Sequence, residues 1–125
     1  MAKRSTRDVI DSHLKNFFDG NLKGILSDYV PDAILLTPQG SLRGLDAIRG
    51  FFQALLAEFG KPGATFSLRH LSVEGEHAYI LWTAETADNV HELGTDTFVV
   101  RDGRIAVQSY AGSIKPKLSN AGAAH

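Results

Sequence analysis

Apolar residues recur at helical spacing in three stretches of this chain and give way to strand patterns in five others. Between Ser5 and Phe18, the residues Val9, Ile10, Leu14, Phe17 and Phe18 share one stripe; Ser5 or Thr6 can cap the helix and Asp8 sits in its first turn. His13 lies inside that stripe, four residues from both Val9 and Phe17. Asp19-Gly20 stops the helix. A second is predicted from Asn21 to about Tyr29, with Leu22, Ile25, Leu26 and Tyr29 on its apolar side. Pro31-Asp32 turns the chain into the strand "AILLT", closed by Pro38-Gln39-Gly40. The third helix follows Gly44: Leu45, Ile48, Phe52, Leu55 and Phe59 recur every three or four residues until Gly60 and Pro62 end it.

After Gly63 the pattern is strand and turn. "TFSLRHLSV", "HAYILWTAET", "VHELGTDTFVV" and "RIAVQSYAGSI" are joined at Glu74-Gly75-Glu76, Asp88-Asn89 and Asp102-Gly103. The order is helix, helix, strand, helix, then four strands in an antiparallel meander. It predicts an α+β fold in a single domain over residues 1–114, with helices on one side of a curved antiparallel sheet and a conical cavity between the layers. The tail "KPKLSNAGAAH", residues 115–125, has little to bury and is expected to be disordered.

The 125 residues are 43% hydrophobic, enough for one real core. With 13 basic and 14 acidic side chains the formal net charge is −1, so no one-signed field points to nucleic acid or to an acidic membrane as partner. There is no cysteine, which excludes disulfides and thiolate chemistry. No apolar run is long enough to span a bilayer, and Met1-Ala2-Lys3-Arg4 leads into no apolar segment, so neither a membrane anchor nor a signal peptide is expected and a cytoplasmic protein is the default. The five histidines show no metal-ligand spacing, and no glycine-rich loop opens a helix, so neither metal nor cofactor is expected.

One residue breaks the strand pattern. Asp96 shares the alternation of Phe98 and Val100, so a core-facing side would point its carboxylate inward. Extending the hairpin from a two-residue turn at Asp88-Asn89 pairs Asp96 with Leu81, Gly94 with Thr83 and Glu92 with Glu85. Neither face is then clearly the apolar one, as when helices cover one face and a second subunit the other. The opposed glutamates are unfavourable, so either a bulge shifts the register or one of them meets His91, Arg69 or His70 instead.

The segments "FFDGNLKGILSDYVPDAILLTPQG", "LRGLDAIRGFF" and "GTDTFVVRDGRI", in that order, resemble the nuclear transport factor 2-like superfamily, and within it the SnoaL-like polyketide cyclases and ketosteroid isomerases. The resemblance covers roughly residues 6 to 112 and implies a cone-shaped sheet wrapped around N-terminal helices, of the cystatin-like kind, an apolar pocket at the wide end, and a homodimer through the outer sheet face. The isomerase branch carries a tyrosine on the first helix, an aspartate base on the first strand, and a late aspartic acid that stays neutral and donates to an oxyanion. The resemblance places His13, Thr37 and Asp96 at those positions. A threonine cannot abstract a carbon-bound proton at neutral pH, so efficient steroid isomerisation is not expected.

His13 and Asp96 are thus the candidate catalytic pair, the histidine as proton carrier and the aspartate as its orienter, expected as an ion pair, or else as a neutral donor. Thr37, Phe17, Phe52, Leu81, Trp82 and Tyr110 are the candidate ligand contacts, and Trp82 or its strand neighbours are also expected at the dimer face. Three readings stay open: an enzyme of isomerase, cyclase, hydrolase or dehydratase type acting on a small hydrophobic carbonyl or hydroxyl compound; a non-catalytic binding module; and a dimerisation module with a filled cavity. An open cavity touching both His13 and Asp96 separates the first two from the third.

Overall fold

A computed structural model describes residues 4–118. Helix α1 (Thr6–Phe18) begins at a capping box: the Ser5 hydroxyl accepts from the Asp8 backbone N–H, and the Asp8 carboxylate accepts from the Ser5 N–H. Its stripe buries Val9, Ile10 and His13, whereas Phe18 at its end is 57% exposed. Helix α2 (Leu22–Ser27) is shorter than its apolar pattern suggests, because Tyr29 already starts strand β1 (Tyr29–Thr37). Pro31 and Asp32 lie inside β1, where the register shifts between Tyr29 and Ile34. The turn at Pro38-Gln39 leads into a short strand that the alternation did not reveal, β2 (Gly40–Arg43), and Gly44 caps α3 (Leu45–Phe59).

Four strands follow: β3 (Thr65–Glu74), β4 (His77–Glu85), β5 (Asn89–Arg101) and β6 (Arg104–Pro116). The turn Asp102-Gly103 has φ of 53° and 78°, the paired left-handed conformation that tight hairpins favour. All six strands form one curved, unclosed sheet in the order β2-β1-β6-β5-β4-β3. The sheet is mixed rather than wholly antiparallel as expected, since β1 runs parallel to β6. No local turn joins those two strands, so no local pattern announces the pairing. Strand β6 also passes its expected end at Ile114: Lys115 and Pro116 pair with Val90 and Asn89, and Lys117 forms an ion pair with Glu85 at 2.6 Å. The remainder of the expected tail, residues 119–125, lies outside the described residues.

The helices pack against one face of the sheet over a core that includes Ile10, Ile25, Leu35, Ile48, Phe98 and Ile105. On β4 the buried residues are Ala78, Ile80, Trp82 and Ala84; on β5 they are His91, Gly94, Asp96, Phe98 and Val100. The phase on β5 changes between His91 and Gly94, because its register shifts there against both neighbours. Glu92 is the extra residue, a β-bulge. The actual partners are Ile80 with Asp96 and Trp82 with Gly94, one residue from the expected register. Trp82 and Asp96 therefore share the inner face, and Leu81 turns outward. The glutamates are not opposed either: the turn is longer than two residues, and Glu85 pairs with Val90. Among the described residues no helix is long and apolar enough to cross a membrane.

Candidate functional site

Between α1, α3 and strands β4 to β6 lies a cavity of about 220 Å³ that touches both His13 and Asp96. Phe17, Phe52, Leu55 and Phe59 supply its helical wall; Ile80, Trp82 and Tyr110 supply the sheet wall. Five of the expected residues meet here with Asp96, namely His13, Phe17, Phe52, Trp82 and Tyr110. Two do not. Thr37 is taken up by the β1–β2 turn, where its hydroxyl donates to the Gly40 carbonyl at 2.9 Å and accepts from the Gln39 N–H. Gln39, its neighbour but one, lines the cavity instead. Leu81 lies on the other sheet face.

Asp96 is 8% exposed. Its Oδ1 accepts from Trp82 Nε1 at 2.9 Å and its Oδ2 from Gln108 Nε2 at 2.7 Å. Gln108 Oε1 in turn accepts from the Tyr29 hydroxyl, so one buried chain of donors runs from the start of β1 to the carboxylate. Burial pushes the Asp96 carboxyl up to about 6, against the two hydrogen bonds, which favour the ion. Burial first, then the Asp96 and Asp28 carboxylates, hold the Tyr29 hydroxyl well above its usual range. The Trp82 indole reaches Asp96 by lying over Gly94, where a Cβ would overlap ring carbons. It is stacked between Phe66 and Tyr110, at 5.3 and 6.3 Å between centroids.

His13 has the edge contacts of a core ring, with centroids 5.4 Å from Phe98, 5.7 Å from Phe52 and 5.9 Å from Tyr29. Burial lowers its pKa to about 4 despite the Asp28 carboxylate, and its Nδ1 has no partner among the described residues. The expected His13–Asp96 ion pair is not formed: no hydrogen bond or ion pair joins the two side chains, and burial moves the histidine down and the aspartate up. Asp96 is held by neutral donors and His13 by aromatic rings.

A second polar cluster escaped the sequence reading. Glu58, near the end of α3, lines the same cavity and accepts from Thr86 Oγ1 at 2.7 Å, from Asn89 Nδ2 at 2.9 Å and from His91 Nε2 at 2.8 Å. Burial raises the Glu58 pKa, but these three bonds and the His91 ring outweigh it and leave the group below its usual value. His91 is 2% exposed, lines the cavity, and leaves its Nδ1 without a partner. Strict alternation from Asp96 turns His91 outward; the bulge at Glu92 turns it inward, which is why the alternation hid this cluster. Gln108 had a usable signal, since it alternates in phase with Tyr110. Among the described residues, no group of three or more His, Asp or Glu is placed to hold a metal ion.

No curated protein matches this chain. Several solved structures share the fold at low identity. The epoxide hydrolase/cyclase-like enzyme SalBIII, with a role in pyran ring formation in the polyether salinomycin, superposes at a TM-score of 0.76 with 15% identity, over 90% of this chain and 95% of that one. An NTF2-like protein of unknown function from Cytophaga hutchinsonii ATCC 33406 gives 0.74 and 10%, over 90% and 93%. A ketosteroid isomerase candidate from Kribbella flavida DSM 17836 gives 0.71 and 16%, over 86% and 77%. The family model of the SnoaL-like domain matches residues 10–108, a span that holds His13, Glu58, His91, Asp96 and Gln108, and the chain belongs to that family, within the nuclear transport factor 2-like superfamily.

Proposed function

We propose that the cavity binds a small hydrophobic molecule bearing a carbonyl or hydroxyl oxygen and that Asp96 exchanges a proton with it. The observation that carries this reading is a carboxylate buried in a largely apolar cavity and bonded, among the described residues, only to Trp82 and Gln108. A carboxyl poised near 6 is mostly ionised at pH 7 and can still take a proton, as a general base requires. Its four lone-pair directions are half used, which leaves room for a substrate proton. His13 stays neutral and contributes an aromatic edge and an unpaired Nδ1 rather than a charge. The SnoaL-like family and the cyclase and isomerase names among its structural relatives are consistent with this chemistry.

Native mass spectrometry of freshly purified protein tests the reading. The wild type is expected to carry a small organic molecule, and Leu55→Trp, which fills the cavity, to lose it. Equal retention by both would place the ligand elsewhere. The same spectra test a homodimer through the outer face of β4 and β5, where Tyr79, Leu81 and Leu93 meet water in the single chain. Trp82 takes no part in that face. A monomer at micromolar concentration would refute the dimer.

A further inference from the structure

The cavity has a second polar end that Asp96 does not use. His91 is anchored through Nε2 to Glu58, and Glu58 is itself held by Thr86 and Asn89. A carboxylate accepting from Nε2 fixes the proton there and leaves the Nδ1 of a neutral ring as a lone-pair acceptor. A buried acceptor without a partner is costly, and it lies in a side chain that lines the cavity. The indole of Trp82 spans the distance to the other end: its nitrogen is on Asp96, and its ring centroid is 5.6 Å from that of His91. The indole, itself a fused bicyclic ring, thus touches both polar ends, and Phe17, Leu55 and Phe59 line the same cavity from the helices.

We propose that His91 is a ligand-contacting residue: its Nδ1 accepts a hydroxyl from the far end of the bound molecule, so the ligand is a bicyclic-sized apolar compound with one oxygen at Asp96 and a hydroxyl at His91. Glu58 is the positioning residue that fixes the tautomer. The assignment rests on the reading of the cavity as a binding site and names the chemistry of what enters it.

Trp82 is the only tryptophan, so its indole N–H gives a single nuclear magnetic resonance signal inside the cavity. Titrations of the full chain with 2-naphthol, 2,6-dihydroxynaphthalene and 6-methoxy-2-naphthol are followed on that signal. The diol is expected to bind about tenfold more tightly than 2-naphthol, the gain of one buried hydrogen bond. The methoxy compound, which has no second O–H to give, should show no gain. His91→Gln keeps a donor to Glu58 but loses the Nδ1 position, and should bring the diol-to-naphthol ratio to about one. His91→Asn, which keeps a polar atom near Nδ1, should restore part of it. A wild-type ratio of one, an equal gain from the methoxy compound, or a ratio unchanged in His91→Gln overturns the His91 assignment and leaves the Asp96 reading standing. Failure of all three compounds to move the indole signal overturns both. The wild-type arms decide the matter even if a His91 variant does not fold.

Discussion

Two aspartates are buried in this chain, and their surroundings are opposite. Asp28, after α2, is 2% exposed and saturated: it accepts from the Arg4 guanidinium at 2.9 Å, from the Ser12 hydroxyl on both oxygens, and from Asn16 Nδ2 at 3.0 Å. It joins the chain ahead of α1 to the end of α2 and does not line the cavity. Asp96 has two neutral donors and, among the described residues, no cation bonded to it, and it lines the cavity. A charge compensated on all sides is a structural fixture; one left partly unsatisfied beside an open space is poised to react. The largest predicted difference follows. Asp28→Ala should cost about 3 kcal/mol, because Ser12 and Asn16 lose a charged acceptor and Arg4 its partner. Asp96→Asn should stay within about 1 kcal/mol of the wild type at pH 7, since it removes a buried charge of raised pKa. Denaturant unfolding of both variants measures this, and similar losses would erase the distinction.

A comparable contrast separates Asp96 from His13. The Asp96 carboxyl moves from 3.8 to about 6 on folding, so its stability contribution is complete below 3.8 and is lost as pH rises to about 6. His13 moves from 6.5 to about 4, so its contribution is complete above 6.5 and is lost as pH falls to about 4. Each is worth about 3 kcal/mol over its window, and between pH 4 and 6 the two slopes oppose. His13→Leu should therefore flatten the acid-side loss, and Asp96→Asn should steepen it. Stability curves from pH 4 to 7 report both; a His13→Leu curve parallel to the wild type would mean that the ring is charged in the folded protein.

How far the sequence reveals this arrangement depends on whether the signal is local. The helix caps, the α3 stripe and the Asp102-Gly103 turn are local and are legible. The parallel pairing of β1 with β6 joins opposite ends of the chain and is not. The inward carboxylate of Asp96 is visible as a break in alternation, but counting from a two-residue turn misses both the longer turn and the bulge, which together leave β4 one residue out of register at Asp96. A one-residue slip exchanges the faces, which is why Trp82 was set apart from the aspartate that it binds and Leu81 was set beside it. The bulge at Glu92 conceals His91, and nothing in the local pattern marks Glu58, near the end of α3, as its partner. Thr37 illustrates the opposite error: a resemblance placed it in a pocket, while its hydroxyl satisfies a turn.

Gly94 tests the corrected register with an intermediate effect. It sits opposite Trp82, and the indole occupies the space that a side chain would need. Gly94→Ala should push the ring away, break the Trp82–Asp96 bond and cost about 2 kcal/mol by overpacking. Gly50, on α3, has open space where its Cβ would lie, so Gly50→Ala is the control and should stabilise by about 0.5–1 kcal/mol. The indole N–H resonance should move in the first variant and stay in place in the second. An unmoved indole in Gly94→Ala would mean that Trp82 does not lie against this strand.

The smallest effect is expected at Thr37, and it bears on the comparison because an acid there would create a third carboxylate of yet another kind. Its two hydrogen bonds stay within the β1–β2 turn, so Thr37→Ala should cost no more than about 1 kcal/mol. Thr37→Asp should cost less, since an aspartate oxygen can take over the bond from the Gln39 N–H as such side chains do in turns. Neither variant should change binding in the cavity, from which Thr37 is absent. Neither should convert Δ5-3-ketosteroids to the conjugated enone, and the wild type should not do so efficiently, because the side chain at this position is taken up by the turn. An ultraviolet assay for the enone decides it: activity gained in Thr37→Asp would show that the turn opens and delivers a carboxylate to the cavity.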